Sequence, residues 1–455
     1  MRGTGGAPGA CVLAGLGIAL ALGYAAAQAA DDAPLAGATA AEAGSQEAES
    51  PWSGFLSLDA TRRQVRDLLN PGNVARAPSR AIEAALVLDF KQGPLRARAR
   101  VSDWRARVPG PSGEDTHHQR LDIPQLQWRQ PLDALWSVTA GRLNLRLDDG
   151  LSFHPLDFFE DRPRSLDFED RLGRDRGFPM LMLERVQAQG AVRFILSDDS
   201  LTDSTDRYGE TDFHRGLRQA VASVRHSRGS LTLGGVAQRA WPGSTGWGGS
   251  FSWVPDAALS LYGAAFAARG NPYPLHRNAY LGRGTNLGPQ DVYTTPSPVQ
   301  PWAADDRGRH GRWMLGGGWT FESGDTVHVE AWRDGRGMDA RQFTSWQGVT
   351  AFHDALASPA ARRGNLGYDQ DALRTASGTH LFVRYTTALE AGPRLQLSHL
   401  LAQDGSGSLS AQLEGLLGPK ADWRVVAWQR YGSARSRYGA PPDPRGLTLQ
   451  WRHFL

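Results

Sequence analysis

Residues 82–102, which read IEAALVLDFKQGPLRARARVS, decide the fold class of this chain. Apolar side chains occupy every second position from Ile82 to Phe90, and charged or small residues stand between them. After a tight turn at Gln92-Gly93 the same alternation resumes. Because successive side chains of a strand point to opposite faces, each arm presents one apolar and one polar face. The stretch therefore predicts a β-hairpin with one face toward lipid and the other toward water.

The polar face of the second arm carries three arginines, Arg96, Arg98 and Arg100. An arginine near the midplane of a barrel wall costs ~2 to 4 kcal/mol when it faces lipid, so the three are expected to line a water-filled lumen. One interpretation is a basic ladder that favours anions. The other is a wall that is soluble because its charges are paired with acidic residues. Other strands have charges in the same inward phase, namely Glu83, Asp89, Glu330, Arg384, Arg394, Arg424 and Arg430.

The same alternation recurs along the chain and predicts a closed antiparallel transmembrane β-barrel of 18 strands, with 16 as the alternative. Long and short connections alternate, as they do between the outer and periplasmic ends of bacterial barrels. The predicted long connections are 61–78, 108–118, 146–178, 199–212, 270–310, 335–377 and 432–445. The predicted strands are 52–60, 82–91, 95–102, 119–130, 132–145, 179–187, 190–198, 213–226, 229–241, 245–254, 257–269, 311–322, 325–334, 378–388, 393–403, 407–417, 421–431 and 446–455.

The first 30 residues have the layout of a cleaved signal peptide, with a basic Arg2, an apolar run and small residues before Asp31. Residues 31–51 lack aromatic side chains and are expected to form a disordered periplasmic leader, so the barrel occupies 52–455. Cys11 is the only cysteine and lies in the signal. The mature chain therefore has no disulfide and no thiolate metal site or nucleophile. Since no later apolar run reaches the ~20 residues of a spanning helix, the secreted chain is either a soluble periplasmic or extracellular protein or a barrel in the bacterial outer membrane. The alternation along the chain favours the barrel.

The last segment alternates to the final residue, with Leu447, Leu449 and Trp451 in one phase. It resembles the C-terminal signal by which barrel-assembly machinery recognises its clients, although Leu455 stands where that signal has phenylalanine. The expected partners are thus outer-membrane lipid and the assembly machinery. The formal net charge of +3 gives little information about partners, and no nucleic-acid partner is expected.

A long loop interrupts the alternation between two predicted strands. Residues 139–178 read TAGRLNLRLDDGLSFHPLDFFEDRPRSLDFEDRLGRDRGF, and a polar loop of this length is usually functional or disordered. Its phenylalanines favour burial, so the loop is expected to fold into the lumen and narrow it. An acidic loop facing an arginine wall would set a transverse field, whereas a surface loop would have only weak ion pairs. The candidate lining residues here are Arg142, Asp148, Asp149, Asp157, Arg164 and Asp167.

The loop also carries a resemblance to known proteins. Gly141-Arg142, then Asp149 to Phe159 (DGLSFHPLDFF), then Gly177 to Leu181 (GFPML) resemble a pattern in Gram-negative outer-membrane barrels, including alginate-export-type barrels. This resemblance implies a porin-like barrel. Leu147-Asp148 replaces the usual Trp-Gly, so it does not imply export of a particular polysaccharide. Elsewhere, helical spacing of aromatics within residues 341–361 predicts a short helix in an outer loop.

These patterns favour a channel for passive passage or export of polar or anionic solutes, with a small polar solute or a polysaccharide as cargo. A closed structural barrel or sheath around a partner protein is the alternative. A hydrolase is the third class, but the chain contains neither a G-x-S-x-G elbow nor an H-E-x-x-H motif. His154 and Asp157 lack a third metal ligand. No catalytic residue, metal or cofactor is therefore expected.

Overall fold

The computed structural model describes residues 50–65, 78–109, 115–159, 171–174, 176–198, 218–241, 243–276, 302–336, 378–387, 392–433, 436–439, 441 and 443–455. Residues from Pro51 to Leu455 form one compact unit. In the part described, the structure has no helix long and apolar enough to cross a membrane. The predicted signal peptide, almost all of the leader and the predicted helix at 341–361 lie outside the described residues.

Eighteen strands make up the described fold, as the alternation predicted, and the alternative of 16 is wrong. They are β1 (Trp52–Gln64), β2 (Arg80–Gln92), β3 (Leu95–Arg107), β4 (Asp115–Pro131), β5 (Trp136–Leu143), β6 (Phe178–Gln187), β7 (Gly190–Asp198), β8 (Arg218–Arg228), β9 (Leu231–Trp241), β10 (Ser244–Trp253), β11 (Leu259–His276), β12 (Trp302–Thr320), β13 (Thr326–Asp334), β14 (Gly378–Thr386), β15 (Arg394–Ala402), β16 (Gly407–Leu416), β17 (Ala421–Tyr431) and β18 (Arg445–Phe454).

Each strand pairs antiparallel with its neighbour in the sequence, and the last pairs with the first. The closing register runs from Phe55 opposite Phe454 to Gln64 opposite Arg445. Because β18 bonds to β1, neither strand presents a free edge, which is the condition for a barrel to stand in lipid. The structure is therefore a closed antiparallel barrel.

The outer face is apolar and the inner face mostly polar or packed, because side chains alternate along every strand. On β2, Ile82 is 54% exposed on the outside, whereas Val87 is fully buried on the inside. Large apolar side chains such as Leu121, Leu181, Leu196 and Leu447 remain exposed on the outer face, where lipid rather than water covers them. This apolar outer band makes the fold a transmembrane barrel.

Connection lengths give the barrel its orientation. The connections at the end that holds both chain termini are short, and Gly93 has a φ of 54° in the tight turn between β2 and β3. Those at the other end are mostly long, as at the outer end of bacterial barrels. The largest boundary error concerns β11 and β12, which extend seven and nine residues past their predicted limits at 269 and 311. Prolines at 272 and 274 lie in this extension, and the pairing there has register shifts that accommodate them.

Candidate functional site

The segment between β5 and β6, residues 144–177, is called the constriction loop here, and its described residues, 144–159, 171–174, 176 and 177, enter the lumen. Its side chains Leu156, Phe159 and Leu172 are at most 1% exposed. Leu156 and Phe159 belong to an apolar cluster inside the barrel that includes Phe266 of β11 and Met314 of β12. The predicted inward fold is therefore confirmed for the described part of the loop. Apolar residues in the loop cause it, since the lumen is the nearest place where they can leave water.

Asp148 holds the first half of the loop in shape. One of its carboxylate oxygens lies 2.7 Å from His154 Nδ1 and accepts a hydrogen bond from Gly150 N, and the other accepts one from Leu156 N at 2.7 Å. Asp157 likewise accepts a bond from Phe159 N at 2.9 Å. Both carboxylates are buried, so they serve the loop's own backbone and do not present an acidic surface to a solute.

Glu330 attaches this half of the loop to the wall. It lies on the inner face of β13 and is fully buried. Its two oxygens accept hydrogen bonds from Leu151 N at 2.5 Å and Ser152 N at 2.7 Å, and also from the Ser152 hydroxyl. Hydrogen bonds to a charged acceptor are the strong ones, so a single wall carboxylate fixes the loop at one height in the lumen.

Aromatic contacts continue the attachment on both sides of Glu330. Phe153 stacks on Trp332 of β13 with ring centroids 4.5 Å apart. Phe158 meets Phe266 edge to face at 5.1 Å, and the Arg312 guanidinium lies over both rings. Such pairs add to the stabilisation from burial alone. Together they fill the lumen beside β11–β14 with side chains.

The second half of the loop binds the opposite wall through arginine. Arg171 lies 2.5 Å from Asp422 of β17 and 3.2 Å from Glu414 of β16. The backbone carbonyl of Arg171 accepts a bond from Arg452 of β18 at 3.1 Å. Arg452 also pairs with Asp422 at 2.5 Å, so two cations share one carboxylate.

Three residues further on, Arg174 reaches across the junction of β18 and β1. It forms ion pairs with Asp59 of β1, at 3.3 Å, and with Glu83 of β2. Arg100 of β3 pairs with Glu83 at 2.8 Å and donates to the carbonyl of Leu172 at 3.2 Å. The loop is thus bonded to strands on both sides of the barrel closure.

The arginine ladder lies on the inner face, but it is not a row of free charges. Arg98 makes a two-pronged ion pair with Asp89, at 2.6 and 3.1 Å, and Arg100 is buried against Glu83. Arg96 is exposed near the short-turn end. For Arg98 and Arg100 the geometry therefore agrees with a wall of paired charges, the second of the two interpretations.

Other candidate residues fall in different places. Asp149 lies 3.4 Å from Arg225 on the inner face of β8, and Arg384 lies on the inner face of β14, in the same phase as the buried Phe382. The expectation for Arg142 is wrong, because the register places it opposite the outward Leu126, while Gly141 takes the inner position. Arg164 and Asp167 lie outside the described residues.

The expected transverse field of an acidic loop facing basic walls is also wrong for the described second half of the loop. There the loop supplies the cations, and the walls supply Asp59, Glu83, Glu414 and Asp422. The sequence showed the charges of the loop but not their partners, because ion pairs between residues about 90 to 250 positions apart leave no local signal in the sequence. Glu414 and Asp422, the wall residues that bind Arg171, were not among the predicted site residues. Their inward positions could have been read from the alternation of strands β16 and β17.

These features define the class of the protein: a transmembrane β-barrel whose lumen is narrowed by a loop bonded to both walls. Among the described residues, no group of three or more His, Cys, Asp or Glu is arranged to hold a metal ion.

No protein-family model matches the chain, and no curated protein matches it. Several solved structures are similar to the chain. Pseudomonas aeruginosa OccK8 (OprE) is 11% identical with a TM-score of 0.49, covering 89% of this chain and 98% of that one. P. aeruginosa OccK7 (OpdD) is 12% identical with a TM-score of 0.48, covering 89% and 99%. An E1M, A104W mutant of Rh. blastica porin is 10% identical with a TM-score of 0.41, covering 89% and 99%. Identities this low say nothing about a solute.

Proposed function

We propose that this protein is a porin-like channel of the bacterial outer membrane that passes small polar solutes and prefers anions. The observation that carries the proposal is the composition of four ion-pair clusters among the described residues of the lumen, which together hold more arginines than carboxylates. A barrel with only a structural role needs no such surplus, whereas a pore uses it to lower the free energy of a passing anion.

The surplus is visible cluster by cluster. Beside the closure, Glu414 and Asp422 serve four arginines, namely Arg171, Arg394, Arg424 and Arg452. Asp122 serves Arg120 and Arg176, and Glu184 serves Arg129 and Arg193. The cluster of Asp59, Glu83 and Asp89 is balanced by Arg98, Arg100 and Arg174. The sum of these clusters is positive.

The outer-membrane location is supported by the barrel wall and its connections. An apolar outer band, short turns at one end and long loops at the other support an outer-membrane barrel. The final strand, which completes the barrel against β1, has the alternation expected of a client of the assembly machinery.

The first test is the conductance of the mature protein in planar bilayers, compared with that of a variant lacking residues 151–174. Leu143 and Phe178 pair directly, so the residues that remain can join β5 to β6. Removal of the loop should raise single-channel conductance several-fold, because it empties the lumen beside β11–β14 and beside the closure. An unchanged conductance would place the solute path away from the loop. No current from either protein would instead favour a closed sheath around a partner.

The second test is the reversal potential in a potassium chloride gradient. Arg129 and Arg394 lie on the inner face and are about half exposed (50% and 53%), so they face the solute more than the buried arginines do. An R129Q/R394Q variant should shift selectivity toward cations. The control R185Q/R228Q removes two arginines from the outer face at the same end and should leave the potential unchanged. Equal potentials for all three proteins would contradict anion preference.

Cargo size is measured by swelling of liposomes with sugars of graded size. Entry limited to mono- and disaccharides supports a channel for small solutes, and passage of long acidic oligosaccharides supports polysaccharide export. Hydrolysis of ester or phospholipid substrates by the purified barrel would instead support the hydrolase alternative.

A further inference from the structure

A band of arginines surrounds the outer face of the barrel at the long-loop end. These arginines occupy outward positions in the strand registers, and ten of the eleven are exposed, Arg142 being half-buried. We call them the arginine collar: Arg62, Arg80, Arg105, Arg107, Arg142, Arg218, Arg239, Arg269, Arg309, Arg333 and Arg445. They come from ten different strands, so the feature belongs to the whole rim and not to one hairpin.

Within the collar, arginines stand directly opposite one another. Arg62 of β1 is the partner of Arg80 on β2, and Arg80 is in turn the partner of Arg107 on β3. Arg269 of β11 is the partner of Arg309 on β12. Directly opposed residues have Cα atoms only ~4.5 to 5.5 Å apart. Like charges at that spacing destabilise a sheet unless an anion lies between them.

The protein itself supplies few such anions among the described residues. On the same face and end, the strands carry the carboxylates of Asp103, Asp115 and Asp198. Arg105 pairs with Asp103 at 3.2 Å, and Arg218 pairs with Asp198 at 2.9 Å. In the part of the chain that the structure describes, the other nine collar arginines form no ion pair. Among the described residues, the band therefore carries a large positive surplus.

The height of the collar identifies its surroundings. From Trp52 at the lower end of β1 to Arg62 is ten residues, which at ~3.3 Å each and a tilt of ~40° is ~25 Å of vertical rise. That is the height of the apolar band of an outer-membrane barrel. The collar therefore lies at the level of the outer headgroups. The described residues of the opposite end show a different pattern, with only two outward arginines, Arg185 and Arg228, and with outward Trp52, Trp128, Trp136, Trp253, Trp319, Trp423 and Trp451.

We propose that the arginine collar binds the phosphate groups of phosphorylated lipids in the outer leaflet. Guanidinium groups match phosphate oxygens in charge and in two-pronged geometry. The proposal goes beyond the channel function, because it assigns a ligand to the outer face of the barrel and not to the lumen.

A groove beside the collar fits the rest of such a lipid. It has a volume of about 970 Å³ and crosses β14–β18 to β1 on the outer face. Arg62 and Arg445 line one end, the small Ala411 and Ala427 form the floor, and leucines continue it toward β14. No carboxylate lines this groove. One end thus suits a phosphate, and the remainder suits an acyl chain.

A second copy of the chain is the competing occupant. In a two-fold dimer the same patch meets itself, so collar arginines would meet collar arginines. Repulsion of that kind disfavours the pairing unless an anion intervenes. The charge of the face therefore favours a phosphorylated lipid.

The test compares lipid retention by three forms of the mature barrel, refolded in neutral detergent and analysed by native mass spectrometry. The probes are dioleoyl phosphatidic acid, dioleoyl phosphatidylcholine and inorganic phosphate. The variant R62Q/R80Q removes two opposed collar arginines, and the control R185Q/R228Q removes two outward arginines from the other end. All three proteins must show the heat-modifiable mobility of a folded barrel.

The parent and the control should retain phosphatidic acid in preference to phosphatidylcholine. The R62Q/R80Q variant should bind phosphatidic acid about 30-fold more weakly, the factor expected from two arginines at a charged lipid surface. Equal retention by all three proteins would overturn the proposal. So would competition by inorganic phosphate at the concentration of the lipid, because the collar would then recognise the free ion. Loss of a dimer in R62Q/R80Q, with lipid retention unchanged, would assign the face to a second copy.

Discussion

Replacing Glu330 with glutamine should loosen the constriction loop from the wall while the barrel stays folded. The carboxylate accepts two backbone N–H bonds and one hydroxyl bond from Leu151 and Ser152 in a fully buried position. A glutamine side chain has one acceptor oxygen, so at least one N–H must face an amide NH₂ group. Each hydrogen bond to a charged group contributes ~1.5 to 3 kcal/mol net. Losing one of them and weakening the rest costs the docked loop about 3 kcal/mol.

That energy corresponds to an undocked population raised on the order of 100-fold. In single-channel recordings the Glu330→Gln variant should show frequent excursions to a higher conductance, each marking an undocked loop. Ser152→Ala removes only the hydroxyl bond and should give a smaller increase. Glu322→Gln, at an exposed position in the turn after β12, is the matched control and should behave like the parent. Recordings of Glu330→Gln as quiet as those of the parent would refute the assignment of Glu330 as the anchor.

Three further perturbations test other parts of the structure. Arg100→Gln leaves Glu83 buried with one cation fewer and should lower the free energy of unfolding in detergent by about 3 kcal/mol. The control Arg96→Gln, at an exposed site, should change this free energy little. Equal effects of the two substitutions would contradict the buried ion pair. Gly173→Ala should destabilise the protein more than Gly405→Ala. Both glycines have positive φ (63° and 77°), but an added Cβ at Gly173 lies only 3.2 Å from Val87 Cγ1. An identical loss of thermal stability in the two variants would show that the neighbours of Gly173 accommodate the added Cβ. Asp404 lies in the outer turn after β15, and burial by itself raises its pKa. Hydrogen bonds from Ser406 and from the Arg437 backbone, together with the Arg437 charge, lower the pKa by more, so that it lies below its usual 3.8. A carboxyl whose pKa is lowered in the folded state adds stability above its usual pKa, and that contribution is lost as the pH falls below 3.8. Asp404→Asn should therefore be less stable than the parent at pH 7, and the difference should shrink as the pH falls below 3.8. A difference that does not change with pH would contradict a lowered pKa for Asp404.

The wall of the barrel was predictable from the sequence because alternate residues of each strand differ in polarity, which identifies its lipid-facing and lumen-facing sides. Ile82 and Glu83 differ in polarity, and this alternation shows which residues face lipid and where the turns interrupt the strands, with no knowledge of the neighbouring strands. The same reasoning failed for Arg142, because Gly141 has no side chain to reveal which phase the strand end follows. It also failed for the extended ends of β11 and β12, where the pairing continues through register shifts.

The partners of the constriction loop were not predictable in the same way. Inward folding was, since Leu156 and Phe159 need an apolar site and a loop of this length can reach one. Which carboxylate receives Arg171 or Arg174 depends on distances between strands that are remote in sequence. A single chain contains charges of both signs on every inner face, so many pairings satisfy its pattern equally well, and only the closed register selects among them.

Deletion of residues 151–174 should leave the barrel folded, although it removes two arginines from buried ion pairs. The reason is that the carboxylates they serve keep another partner on the wall. Without the loop, Glu83 retains Arg100 and Asp422 retains Arg452.

The other two carboxylates that pair with these arginines also keep a partner on the wall, and Glu330, which loses its bonds from Leu151 and Ser152, faces the lumen that the deletion opens to water. Glu414 lies within 3.7 Å of Arg394 and 3.8 Å of Arg424, and Asp59 accepts a hydrogen bond from Gln450 at 3.1 Å. A carboxylate left with no partner would cost ~3 to 5 kcal/mol, and several together would unfold the barrel. The deletion variant should therefore keep its heat-modifiable mobility, and adding Arg452→Gln to it should abolish that mobility while Arg452→Gln alone does not. If the deletion alone unfolds the barrel, the loop is part of the wall's electrostatic balance and not a constriction added to a complete wall.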